Sequence, residues 1–108
     1  MSDQKKKIRS EFRNKVFHRD GYKCVCCDFQ STPNKAEHEL DCHHICDRNE
    51  IINGGYVQEN GISLCSKCHE LAEEYHSIGI SHPGFSPDDL YNKIGSSYER
   101  AVAAASSS

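Results

Sequence analysis

The stretch Glu39-Leu40-Asp41-Cys42-His43-His44-Ile45 sets two adjacent histidines in a short run that reads as a β-strand. Neighbouring side chains on a strand point to opposite faces. One histidine can therefore bind a metal while the other stays free as a base, and neither can replace the other. A bend or bulge would bring both into one cleft. Downstream, Asn60-Gly61-Ile62-Ser63-Leu64-Cys65-Ser66-Lys67-Cys68-His69 adds an asparagine, a second short strand at Ile62–Leu64, a cysteine pair and a third histidine. Upstream, Cys24 and Cys27 form a matching pair.

The rest of the composition makes these residues necessary. Only twenty of the 108 residues are Leu, Ile, Val or Phe, a thin supply for a core. A small chain this poor in aliphatic residues needs a further support, either metal or disulfides. Seven cysteines are an odd number, and Cys-x-x-Cys pairs near histidines favour metal over a complete disulfide set. Met1 to Lys7 is polar and no apolar signal core follows it. No run approaches the ~18–20 apolar residues of a membrane span. The expectation is a single domain in a reducing cytoplasm, with thiolates free to act as ligands.

The net charge of −3 is unevenly spread. Residues 1–23 carry eight Lys and Arg against three Asp and Glu, a balance of +5, and the remainder is at −8. A basic amino-terminal arm can meet phosphate while the acidic part faces away. A solvated charged helix accounts for the same composition.

Along the chain, Ser10 to His18 reads as a helix with Phe12, Val16 and Phe17 on one stripe and Ile8 extending it. The basic amino-terminal helix thus occupies residues 1–20 and ends at Asp20-Gly21. Tyr22 to Cys27 reads as a metal knuckle, and Phe29 to Ala36 as a loop. His38 to Ile45 forms the first strand. The long connection to Asn60 contains Asn53-Gly54-Gly55, and such loops are often functional. A helix runs from Ser66 to about His76, with Leu71, Ala72 and Tyr75 inward. Ser86-Pro87-Asp88-Asp89 starts another helix through Leu90, Tyr91 and Ile94. Tyr98 to Ala105 closes a helical extension over 77–105, and 106–108 reads as a frayed tail.

Cys24, Cys27, Cys65 and Cys68 are the strongest signal. The two pairs are separated by 37 residues and suit tetrahedral zinc, a closed structural site. Redox thiols or buried thiols are the competing readings. Cys26 has poorer spacing, and Cys42 and Cys46 read as small buried residues rather than ligands. His69 alone would read as a surface or capping residue; its combination with His43 and His44 makes it a ligand candidate.

Taken together, His44, Asn60 and His69, bracketed by the cysteine pairs, resemble the HNH endonuclease family. The match runs from Arg19-Asp20-Gly21-Tyr22-Lys23-Cys24 to His69, about half the chain, and takes in Gly54-Gly55. The resemblance implies a small α+β fold: a ββα-metal (His-Me finger) core at 22–76, with a four-cysteine zinc knuckle pair and flanking helices. It also implies hydrolysis of DNA phosphodiester bonds to 5′-phosphate and 3′-hydroxyl ends. The residue before the base is often Asp in that family; His43 stands there in this chain.

Residue by residue, the resemblance implies His44 as general base and His43 and His69 as ligands of one catalytic divalent cation. Asn60 corresponds to the middle residue, which braces the loop. Two imidazoles favour Mn²⁺, Ni²⁺, Co²⁺ or Zn²⁺, with Mg²⁺ open through cellular supply. Glu73 lies one helical turn after His69 on the same face. It is a possible third ligand, although solvated surface carboxylates are the commoner case. Arg19 and Arg48 are the candidate DNA phosphate contacts, against an even expectation of surface or structural arginines. No stretch reads as a base-specific recognition element. Two other functions compete: a non-catalytic zinc-binding nucleic-acid or protein interaction module, and a subunit active only in a larger phage-packaging or restriction complex.

Overall fold

A two-stranded antiparallel sheet lies at the centre of the chain. The computed structural model describes residues 2–107. Strand β1 (Asp41–His44) pairs with β2 (Gly61–Leu64) in the register Asp41↔Leu64, Cys42↔Ser63, His43↔Ile62 and His44↔Gly61. Helix α1 (Ser2–Arg19) covers one face and α3 (Ser66–Ile78) the other. Between the strands, residues 45–60 form a long excursion with 3₁₀ turns at Ile52–Gly55 and Gln58–Asn60. Helix α4 (Pro87–Lys93) and helix α5 (Tyr98–Ser106) follow, and α5 packs on those turns. The result is a small compact α+β fold with a radius of gyration of 13.0 Å, the size expected of a folded chain this long.

Local chemistry explains most of these elements. Phe12, Val16 and Phe17 are buried and anchor α1, while Ile8 stays largely exposed. The helix fills the expected 1–20 span from Ser2 onward and reaches beyond the apolar stripe at 10–18, because the stretch Gln4–Arg9 is rich in good helix formers and extends the anchored turns. It ends as expected, with Gly21 at φ +69°. Gly61 lets α1 approach β2 closely: a Cβ there would meet Val16 Cγ2 at 2.6 Å and Phe12 Cε1 at 2.8 Å. Asp20 seals this junction, its carboxylate accepting from Ser63 N–H at 2.9 Å.

The first strand is shorter than its sequence suggests. Residues Ala36–Glu39 form a one-turn helix, α2, whose Ala36 and the following Leu40 are buried, so the strand begins only at Asp41. Helix α4 carries the anticipated cap: Ser86 Oγ accepts from Asp89 N–H, and the Asp89 carboxylate accepts from Ser86 N–H. Helix α5 reaches Ser106 and buries Ala101 and Ala105, so the expected tail is helical at its first residue; Ser108 lies outside the described residues.

Candidate metal centres

The knuckle after α1 is built by backbone geometry. Cys24 N–H donates to Phe29 O at 2.8 Å and Asp28 N–H to Cys24 O at 2.9 Å, with Asp28 in the left-handed region. Val25 N–H donates to Ser63 O and ties the knuckle to β2. Cys65 caps the N-terminus of α3 and Cys68 sits in its first turn. These two placements bring Cys24, Cys27, Cys65 and Cys68 together, with Sγ atoms mutually within 4.8 Å.

The fit to a tetrahedral ion can be checked directly. Bonds of about 2.3 Å to a central zinc put the sulfurs about 3.8 Å apart, and Cys27 Sγ to Cys65 Sγ is 3.6 Å. That separation is far too long for a disulfide, near 2.05 Å. Four cysteines close together could thus hold a metal such as zinc. Cys26 and Cys42 stand outside the cluster; burial pushes their thiols up to about 11 and about 12. Cys46 also lies outside, 4.0 Å from Glu50.

A second cluster lies across β1 from α1. His43 is 1 % exposed and points toward α3. Glu73 Oε1 stands 3.1 Å from His43 Nδ1 and 3.3 Å from His69 Nε2. The three side chains offer ligand atoms within 4.8 Å of one another. Asp41 Oδ2, 3.1 Å from His69 Nδ1, orients that imidazole and leaves Nε2 facing the cluster. Burial first, then the charges of His69, His76 and His44, lowers the His43 pKa to about 3, even with a carboxylate beside it. A neutral imidazole is the form a metal ion needs. Glu73 is therefore part of this group, where the commoner reading of the sequence leaves it a solvated carboxylate.

His44 faces the opposite way, as strand alternation requires. Its ring packs on Phe12 at 4.7 Å between centroids and on Tyr56 at 4.9 Å. Among the described residues its buried Nε2 has no hydrogen-bond partner. Burial and then the charge of Arg48 lower its pKa to about 4. The His43 and His69 rings are 5.3 Å apart, but the His44 ring does not join them; the three imidazoles do not form one cluster.

Asn60 is fully buried and fully bonded. Its Oδ1 accepts from Cys46 N–H at 2.9 Å and Tyr91 O–H at 2.8 Å. Its Nδ2 donates to Cys46 O at 3.0 Å and Gly55 O at 3.2 Å. The amide clasps both ends of the 46–60 excursion next to His44. Gly55 permits this: with φ +66°, a Cβ there would meet Asn60 Nδ2 at 2.6 Å.

Arg19 is engaged internally. Its guanidinium donates to both Asp20 carboxylate oxygens, to Gln58 O at 2.5 Å and to Gly61 O at 2.7 Å. These are the bonds of a structural brace, and they leave it poorly placed for phosphate. Arg48 is exposed and donates to Tyr56 Oη at 3.3 Å.

Three participants are not assigned from sequence. Tyr91 braces Asn60, and Asp41 orients His69. His76, seven residues after His69 on the same helix face, places Nε2 3.1 Å from His44 O and its ring 5.3 Å from His43. No helix among the described residues is long and apolar enough to cross a membrane. Compared with known proteins, the chain matches no family model, no curated protein and no solved structure.

Proposed function

We propose that this chain is a metal-dependent endonuclease of the HNH type that hydrolyses DNA phosphodiester bonds. The observation that carries the reading is the His43–His69–Glu73 group on the face of β1 opposite His44, in a core ordered strand–loop–strand–helix. That order and donor set agree with a ββα-metal site. Two imidazoles and a carboxylate suit Mn²⁺, Co²⁺, Ni²⁺ or Zn²⁺ better than Mg²⁺. When bound, such an ion supplies positive charge to the scissile phosphate and the departing oxygen.

The chain's own residues would do the rest. His44 is neutral at pH 7, the form that can accept a proton, although burial makes it a weaker base than a free imidazole. Its Nε2 is enclosed, which leaves Nδ1 to take the proton of the attacking water. Asn60 fixes the loop beside it, and His76 holds the His44 carbonyl at the strand end. The four-cysteine cluster joins the knuckle to the start of α3, the helix that carries His69 and Glu73.

The test is cleavage of supercoiled plasmid by metal-stripped, zinc-reloaded protein with each divalent ion in turn. Wild-type protein should nick with Mn²⁺, Co²⁺ or Ni²⁺. His44→Ala should keep its zinc and helicity and lose about 10²–10⁴-fold in rate, the usual contribution of a general base. Glu73→Ala should weaken the response to the second ion without releasing zinc. Undiminished nicking by His44→Ala rules out this base. Absence of cutting with every ion, despite one tightly held zinc, leaves the non-catalytic binding module as the reading.

A further inference from the structure

The stripe of α1 that anchors the helix continues past the sheet as Lys5, Ile8 and Arg9, one and two turns before Phe12. This overhang faces the excursion between the strands. Together they form a cleft of about 350 Å³ lined by Lys5, Arg9, Arg48 and Tyr56, with Asn49 and Asn53 between them. Among the described residues lining it there is no carboxylate. The protein is acidic overall, so this local balance is unusual.

The two arginines are the informative part. Arg13 pairs with Glu37 at 3.6 Å and Arg19 with Asp20 at 2.8 Å. Among the described residues, no carboxylate oxygen lies within 4.0 Å of the Arg9 or Arg48 guanidinium. Asp47, adjacent to Arg48, instead accepts the Arg48 backbone N–H. Arg48 donates to the Tyr56 hydroxyl, and Arg9 lines the same cleft near enough to act on that phenol's charge. Burial raises its pKa, yet the two arginines outweigh that and leave it lowered. The bond from Arg48 to that phenol is long, at 3.3 Å. A phosphate, which accepts paired N–H bonds from a guanidinium, is a far better acceptor. The Tyr56 ring is also 4.9 Å from the ring of His44.

We propose that this cleft holds the sugar–phosphate backbone of one DNA strand, with Arg9 and Arg48 on the phosphates and Lys5 extending the row along α1. This proposal rests on the nuclease reading for its choice of ligand, and it moves the phosphate contacts from Arg19 to the amino-terminal half of α1. A row of cations one helical turn apart fits a repeating polyanion better than a single small anion. Contacts to phosphates position the strand and carry no sequence information of their own.

The test is fluorescence anisotropy of a fluorescein-labelled 20-base-pair duplex, titrated with the zinc-loaded full chain without added divalent ion, between 50 and 200 mM salt. Arg9→Gln and Arg48→Gln should each weaken binding about 3–10-fold and reduce the slope of log affinity against log salt by about 0.9. Lys35→Gln, which removes an equal charge at a residue that does not line the cleft, should stay within about twofold of wild type. Zinc content and circular dichroism of all three variants should be unchanged. Unaltered slopes for Arg9→Gln and Arg48→Gln, or an equal loss from Lys35→Gln, overturn the cleft. If binding follows the expected pattern but no ion supports cutting, the cleft stands and the nuclease reading fails. If the wild type cuts and the two arginine variants cut with unchanged KM, the cleft fails alone.

Discussion

Replacing Asn60 with alanine is the sharpest test of how the site is held. The side chain is 0 % exposed and uses its whole hydrogen-bonding capacity: two lone pairs and two N–H groups, four partners. Truncation leaves the Cys46 N–H and carbonyl, the Gly55 carbonyl and the Tyr91 hydroxyl without that partner; Gly55 and Tyr91 are buried and Cys46 is half-buried. Each such orphan costs about 1–3 kcal/mol. Members of one network do not add, so the expected total is on the order of 3–5 kcal/mol. That is a large part of the ~5–15 kcal/mol that stabilises an ordinary domain. Tyr91→Phe removes only the 2.8 Å bond to Asn60 Oδ1, which keeps the Cys46 N–H. It should cost about 1 kcal/mol. In the Asn60→Ala background, Tyr91→Phe instead removes an orphan hydroxyl and should cost nothing or restore stability. Urea titrations followed by circular dichroism, at one fixed zinc excess, give the four stabilities of this cycle. An Asn60→Ala cost below about 1 kcal/mol would refute the reasoning, as would a Tyr91→Phe cost equal in both backgrounds.

Two further outcomes follow from the metal clusters. The zinc-loaded chain should contain one tightly held zinc. Its removal by chelation, or the Cys68→Ser change, should abolish the cooperative thermal transition, since about 10–16 kcal/mol of binding energy is coupled to folding in comparable structural sites. A transition unchanged after zinc is shown to be gone would count against the four-cysteine cluster as the support of this thin core. With zinc bound but no second ion, stability should also fall on acidification. His43 has a folded pKa near 3 against about 6.5 when unfolded. Above pH 6.5 both states are neutral there and the residue has no effect. Below it the unfolded chain takes up the proton first, so stability falls by up to about 1.4 kcal/mol per pH unit down to about pH 3. His44, with its pKa near 4, adds a slope of the same sign and size over the narrower window from about pH 6.5 to about pH 4. Stability measured at pH 7, 6 and 5 by urea titration checks this, and a flat profile would mean that the imidazoles are not buried as described.

What can be read from the sequence, and what cannot, divides by the range of the interaction. The cysteine knuckle, the cap at Ser86 and the alternation of His43 and His44 are set by neighbours a few residues apart. Each of these appears in the structure. Helix α2 escapes the sequence reading because a single turn buries only Ala36 and leaves Leu40 to the next segment, a pattern that a strand start shares. The position of Glu73 on the His69 face is readable as spacing, but spacing cannot separate a ligand from a solvated carboxylate. What separates them is the register of β1 on β2, which sets His43 rather than His44 against α3. Slipping that register by one residue would turn His44 toward Glu73 and His43 toward Phe12. Arg19 and Tyr91 carry the same lesson: their partners lie about 30 to 40 residues away in sequence, and for Arg19 two are backbone carbonyls, which no residue pattern marks. The stretch 41–44 therefore nominates the chemistry, but the pairing of Gly61 with His44, which lets α1 approach within contact of the sheet, decides which histidine each face receives.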